Sequence, residues 1–146
     1  MPDFLTPAER SARMALVRGT STKPELALRR HLQAAGLTGY RLNHRGAPGA
    51  PDIAYTRWKV AIFVDGAFWH GHPSRHPERL STSWRAKIRR NQQRDAEVNA
   101  LLDSSGWTVI RLWDFEVQRI PTECVDRVTS ALAAAGRPLR HPRRRR

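Results

Sequence analysis

Two short apolar runs, Asp52 to Tyr55 and Lys59 to Val64, are separated only by Thr56 to Trp58. So short a link cannot carry the chain across a sheet, so the runs form antiparallel neighbours joined by a tight turn. With the turn centred on Arg57 and Trp58, Asp52 falls opposite Phe63 or Val64 and beside Asp65. The open end of the hairpin therefore gathers two carboxylates and a backbone carbonyl. Like charges so close are costly unless a cation lies between them, and hard oxygen ligands with room for water suit Mg2+. The competing reading has Asp52 capping the loop that ends at Pro51 and Asp65 serving a turn with Gly66.

The remaining pattern wraps this hairpin in helices. Thr6, Pro7 and Glu9 open a short helix to about Arg18, which Gly19 to Ser21 breaks. Thr22 with Glu25 repeats the capping signature and opens a helix to about Ala35, with Leu26, Leu28 and Leu32 apolar and a stop at Gly36. Gly39 to Arg45 can be a first strand, and Gly46 to Pro51 a rigid irregular loop. After a long loop from Asp65 to Arg79, Ser81 or Thr82 starts a helix that runs to about Ser105 and stops at Gly106. Trp107 to Trp113 reads as a strand of the buried kind, and Thr122 to Ala135 as a final helix. The expected class is α/β, a central mixed sheet flanked by helices. It divides into an N-terminal helical arm (1–20), a main domain (21–136) and a basic disordered tail (137–146).

Charge points to the partner. The 146 residues carry 26 Lys and Arg against 13 Asp and Glu, a net +13, and removing the six arginines of the last ten residues still leaves +7. A polyanion is the expected partner, and the guanidinium fork suits phosphates. The single cysteine, Cys124, cannot form an internal disulfide, which favours a reducing compartment. No apolar run approaches the roughly 18 residues of a membrane span, and the N-terminus, with Asp3 and Glu9, does not read as a signal peptide. The expectation is a cytoplasmic protein with no membrane role. On the helix from Ser83 to Ser105, Lys87, Asn91 and Asp95 share a face with Trp84, Ile88, Val98 and Leu102. Polar residues within an apolar stripe either line a nucleic-acid cleft, where Lys and Asn suit purine edges, or form an internal ladder from Lys87 to Asp95 bridged by Asn91.

Pro51-Asp52 followed by Asp65 resembles the P-D…(D/E)-x-K nuclease core, although Ala67 stands where the Lys belongs. The run Ile62-Phe63-Val64-Asp65-Gly66-Ala67-Phe68-Trp69-His70-Gly71-His72 is far more specific: it resembles the signature of the Vsr, or very short patch repair, endonucleases. Arg10-Ser11 with Met14, Thr22-x-Pro24-Glu25, Pro48-Gly49-x-Pro51-Asp52, Trp84 with Lys87-Ile88, Asn91, Arg94-Asp95 and Gly106-Trp107 match in order, so the resemblance covers about residues 8–118.

The resemblance implies a restriction-endonuclease-like fold and an enzyme that nicks one DNA strand beside a T·G mismatch left by deamination of 5-methylcytosine. It makes Asp52 the principal Mg2+ ligand, with Mn2+ able to substitute, and the Val64 carbonyl a second ligand. Asp65 and His70 would lie beside the scissile phosphate, with Glu25 reaching in from its helix. His70 is the natural proton-transfer group where the Lys is absent. Glu25 is equally well explained as the capping-box partner of Thr22. Phe68 and Trp69 would wedge into the base stack, supported by Trp84, with Met14 entering from the other groove; a mismatched step is cheaper to unstack. Lys87, Asn91 and Asp95 would contact DNA. The implied partner is mismatched double-stranded DNA, bound by a monomer in functional association with a cytosine-5 DNA methyltransferase. Ala67, Ser74 and Phe115 stand where the family carries zinc-binding cysteines, so no structural zinc is expected. The competing functions are a nuclease acting on matched DNA and a DNA-binding module with a silent site.

Overall fold

The structure, a computed structural model, describes residues 22–67 and 81–138. In chain order these form α1 (Lys23–Ala34), β1 (Arg41–Leu42), β2 (Ile53–Tyr55), β3 (Val60–Asp65), α2 (Thr82–Ser104), β4 (Thr108–Trp113), α3 (Asp114–Arg119) and α4 (Pro121–Ala134). The four strands make one sheet in the order β1-β2-β3-β4. The first two pairings are antiparallel, and β3 and β4 run parallel across the α2 connection. This is the α/β layout with a mixed sheet expected of a restriction-endonuclease-like core.

The hairpin register follows the turn. Ile53 pairs with Ile62, Ala54 with Ala61 and Tyr55 with Val60, which continues to Asp52 opposite Phe63. Lys59 turns the chain at φ +52°, and its carbonyl accepts from the Thr108 amide at 2.8 Å, so the turn also sets the start of β4.

Strand alternation sends successive side chains to two cores. Val60 and Ile62 of β3 join Ile110 and Leu112 of β4, packed on Leu28 and Leu32 of α1, Val117 of α3, and Cys124, Val128 and Leu132 of α4. Ala61 and Phe63 face the other way, onto Leu102 of α2 with Val98, Trp107 and Val109 around them. The sheet is thus covered by α1, α3 and α4 on one side and by α2 on the other. The Ser81 hydroxyl accepts from the Trp84 amide at 3.4 Å to start α2, and Gly106, at φ +82°, follows its end. Among the described residues, no helix is long and apolar enough to cross a membrane.

Several expectations are corrected. The first strand covers only Arg41–Leu42, because Asn43 takes a left-handed backbone (φ +46°) and only its amide and that of His44 continue bonding, to the carbonyls of Asp52 and Pro51. β4 is not buried throughout: only Ile110 and Leu112 are fully enclosed, since α2 covers its second face incompletely. A helix at Asp114–Arg119 precedes the last one; its six residues are too few to show a period. Leu26 is exposed, because the buried stripe of α1 runs Glu25, Leu28, Leu32. Arg137, the first residue of the expected tail, donates to the Gly36 carbonyl at 3.3 Å. The expected helix from Pro7 to Arg18 lies outside the described residues.

Gly49, in the loop leading to Asp52, has φ +76°, and a Cβ there would sit 2.5 Å from Val98 Cγ1 and 3.3 Å from Phe63 Cε1. The loop reaches α2 this closely only because the side chain is missing. Gly49→Ala should cost about 2 kcal/mol, combining left-handed strain with the clash. Gly36→Ala is the control: it has similar φ (+75°) and nothing within 4 Å. Equal losses of thermal stability in the two variants would show that the close approach is not what Gly49 serves.

Candidate active site

The hairpin brings Asp52 to the end of β3, where its Oδ2 accepts from the Val64 amide at 2.7 Å. Its own carbonyl accepts from the Asn43 amide at 3.0 Å, so Asp52 is fixed from both flanking strands. Glu25 arrives from α1. It occupies the buried stripe one turn before Leu28, is 5 % exposed, and shares a hydrogen bond with the Asp52 carboxyl. The capping-box reading of Glu25 fails: Thr22 precedes α1 but its side chain makes no capping bond. The stripe spacing of residues 25, 28 and 32 is the sequence signal that Glu25 points inward.

Asp52 is held in an environment hostile to its charge. Burial pushes its carboxyl up to about 7, opposed by the Val64 amide and reinforced by the charges of Glu25 and Asp65. Such a group accepts either a proton or a cation. Asp65, also 5 % exposed, ends β3 on the α2 side of the sheet.

Asp65 is answered by a residue not anticipated from the sequence. Arg111 lies opposite Phe63 in the parallel pairing of β3 with β4. Its Nη1 donates to both carboxylate oxygens of Asp65, at 3.0 and 3.2 Å. The same nitrogen lies 3.4 Å from Asp95 Oδ1, and Nε donates to Asn99 Oδ1 at 2.7 Å. The guanidinium carbon sits 4.2 Å from the Phe63 ring centroid. In the sequence Arg111 shows only as a break in an apolar strand, and that break is its one visible signal.

The helix face divides. Asp95 reaches across to Arg111, whose Nη1 lies 3.4 Å from its Oδ1. The exposed Lys87 ammonium lies 4.7 Å from the Trp84 ring centroid, and Trp84 is 8 % exposed, so its ring is largely interior. Asn91 is half-buried on the same helix. At the far edge, the Asp114 carboxylate accepts from the amides of Phe115, at 2.8 Å, and Ala67, at 3.3 Å. The bond to Ala67 ties together the ends of β3 and β4. Met14, Phe68, Trp69 and His70 lie outside the described residues.

The carboxylate set fits an Mg2+ ion held loosely rather than caged. Among the described residues, no three His, Cys, Asp or Glu side chains form a metal-holding group. Asp65 is held by Arg111 and Glu25 lies 3.9 Å from Arg29 Nη2, whereas Asp52 is held by the Val64 amide, and Mg2+ commonly uses one or two carboxylates with water and substrate phosphate. The cost of charging Asp52 beside Glu25 is what a cation would relieve.

Comparison with known proteins agrees with this geometry. A family model described as DNA mismatch endonuclease Vsr matches residues 2–76. The type II nicking enzyme V.NmeDIP of Neisseria meningitidis serogroup C is 42% identical over 134 residues, covering 89% of this chain and 90% of that protein. V.HpaIIP of Haemophilus parainfluenzae, another type II nicking enzyme, is 43% identical over 124 residues, 82% of this chain and 87% of its own. The DNA mismatch endonuclease Vsr of Escherichia coli K12 is 31% identical over 117 residues, 78% of this chain and 74% of its own. With half the chain under the family model and relatives matched over most of their length, this protein belongs to the Vsr family of endonucleases.

Proposed function

We propose that this protein is a Mg2+-dependent endonuclease that nicks one DNA strand beside a T·G mismatch, in very short patch repair. The observation that carries the reading is the Asp52 carboxyl, locked by the Val64 amide against Glu25 and pushed up to about 7. In an extended strand the N–H and C=O of one residue face the same neighbour, so the Val64 carbonyl faces the Asp52 side and is the second expected ligand. A cation bound there would polarise the scissile phosphate and offset the charge that grows as the P–O bond breaks. Asp52 and Glu25 hold the site's negative charge in place, and Asp65, kept by Arg111, stands at its margin. His70 moves the proton.

The net charge of +13 supports a DNA substrate, and the exposed Arg85, Arg89, Arg90 and Arg94 on α2 suit backbone phosphates. Lys87, Asn91 and Asp95 are the proposed reading residues, with Phe68 and Trp69 the wedge, Trp84 its support and Met14 the opposite-groove contact. Functional association with a cytosine-5 methyltransferase, action as a monomer, a DNA-contacting arm at 1–20 and a cytoplasmic setting belong to the same proposal.

The test is a nicking assay on duplexes identical except for one T·G pair, with and without Mg2+. Nicking of one strand, confined to the mismatched duplex and dependent on metal, is expected. Equal nicking of matched DNA would replace repair with a restriction-type activity, and no nicking on any duplex with Mg2+ or Mn2+ would leave a silent DNA-binding module. Phe68→Ala and Trp69→Ala should each remove about 1 to 3 kcal/mol of mismatch affinity while changing thermal stability less. Normal mismatch binding with a much lower melting temperature would make these rings core.

A further inference from the structure

We infer that Arg111 is a positioning residue for nicking: it holds Asp65 beside the active centre and fastens it to Asp95 and Asn99 of α2, so that the carboxylate and the DNA-facing helix are set as one unit. The inference rests on the nuclease reading of Asp52 and goes beyond it.

Arg111 stands between the buried Ile110 and Leu112 as the one charged residue of β4. A purely structural demand at this position would be met by an aliphatic residue stacked on Phe63, because a part-buried ion pair gains little over well-packed apolar side chains. The guanidinium has a use here if the direction of the Asp65 carboxylate must be fixed. Asp65 stands close enough to Asp52 and Glu25 to add a third acid to that cluster. A guanidinium on both oxygens of Asp65, at 3.0 and 3.2 Å, answers that third charge and fixes the direction of its carboxylate. The planar head then has Nε for Asn99 at 2.7 Å and an edge for Asp95 at 3.4 Å, two residues one helical turn apart on α2. A shift of α2 on binding DNA is thereby transmitted to Asp65 through a single rigid group.

The experiment compares Arg111→Ala, Arg111→Lys and Asn99→Ala with wild type and with Asp52→Asn. Three measurements apply: nicking kinetics on the T·G duplex, thermal melting, and Mn2+ binding by calorimetry without DNA. For Arg111→Ala, kcat should fall at least tenfold with KM for DNA within about twofold, and millimolar guanidinium should restore several-fold of the loss. The same guanidinium should do nothing for Asp52→Asn. Mn2+ should bind Arg111→Ala at least threefold more tightly, because Asp65 is released toward Asp52 and Glu25. Asn99→Ala should show a smaller kcat loss in the same direction. A folded Arg111→Ala protein with kcat within twofold of wild type, or with unchanged Mn2+ affinity, overturns the inference. If Arg111→Ala does not fold, Arg111→Lys decides: Lys keeps the charge but not the planar fork that serves Asp65 and Asn99 from separate nitrogens, so kcat should drop about tenfold at near-normal melting temperature, and a wild-type rate overturns the inference. A wild type that binds Mn2+ but nicks nothing defeats the nuclease reading instead, and the Mn2+ comparison still judges Arg111.

Discussion

Asp52→Asn is expected to lower nicking by roughly a thousandfold or more while leaving DNA affinity without metal unchanged or improved. The substitution keeps the shape of the side chain, and its amide oxygen can still accept the Val64 amide now at 2.7 Å. What disappears is the charge that would keep a cation against the phosphate as the bond breaks. Removing a negative charge that faces phosphates should not weaken binding. Single-turnover nicking of the T·G duplex, beside a binding titration in chelator, separates the two effects. A variant within tenfold of wild type would place the active centre elsewhere.

The same substitution should make the metal-free protein more stable at neutral pH. The Asp52 carboxyl, ordinarily at 3.8, is raised to about 7 in the fold, so the native state keeps a proton that the unfolded chain gives up. Below pH 4 both states are protonated and nothing is lost. Between about pH 4 and 7 the unfolded state binds fewer protons, so the wild type loses stability as pH rises, and above 7 it carries the full cost, on the order of 4 kcal/mol. Asp52→Asn lacks this dependence. Melting in chelator should give the variant the higher transition at pH 8 and a near-equal one at pH 4, and saturating Mg2+ at pH 8 should raise the wild type alone. Matching transitions for both proteins at pH 8 would mean the carboxyl is not held against its charge.

Where the site rests on local pattern, the sequence disclosed it. The four-residue turn from Thr56 to Lys59 sets the hairpin register, and the register puts Asp52 opposite Phe63 with Val64 and Asp65 next to it. Ser81 and Gly106 mark the ends of α2 for equally local reasons, a hydroxyl cap and a left-handed stop. What stayed hidden depends on tertiary choice. Glu25 fits a capping box and a buried stripe equally well in one dimension, and only the position of the hairpin beside α1 selects the second. Arg111 finds Asp65 through a parallel pairing made by a 23-residue crossover helix, and no spacing rule announces that contact. The short helix after Trp113 is built on the Glu116 carboxylate accepting from the Trp113 amide at 3.0 Å, within too few residues for a period to show.

The two halves of the centre also differ in how much chain must close to make them. The bond from Val64 to Asp52 spans 12 residues, whereas that from Arg111 to Asp65 spans 46. Loop closure makes the longer link roughly 1 kcal/mol more demanding in entropy, and it also waits for α2 to form and pack. During folding the hairpin that carries Asp52 can therefore assemble first, with Asp65 not yet on Arg111, and the centre acquires its counter-charge only when the crossover docks. If Asp52 holds the ion as proposed, a chain with only the hairpin formed has that ligand in place before Arg111 reaches Asp65.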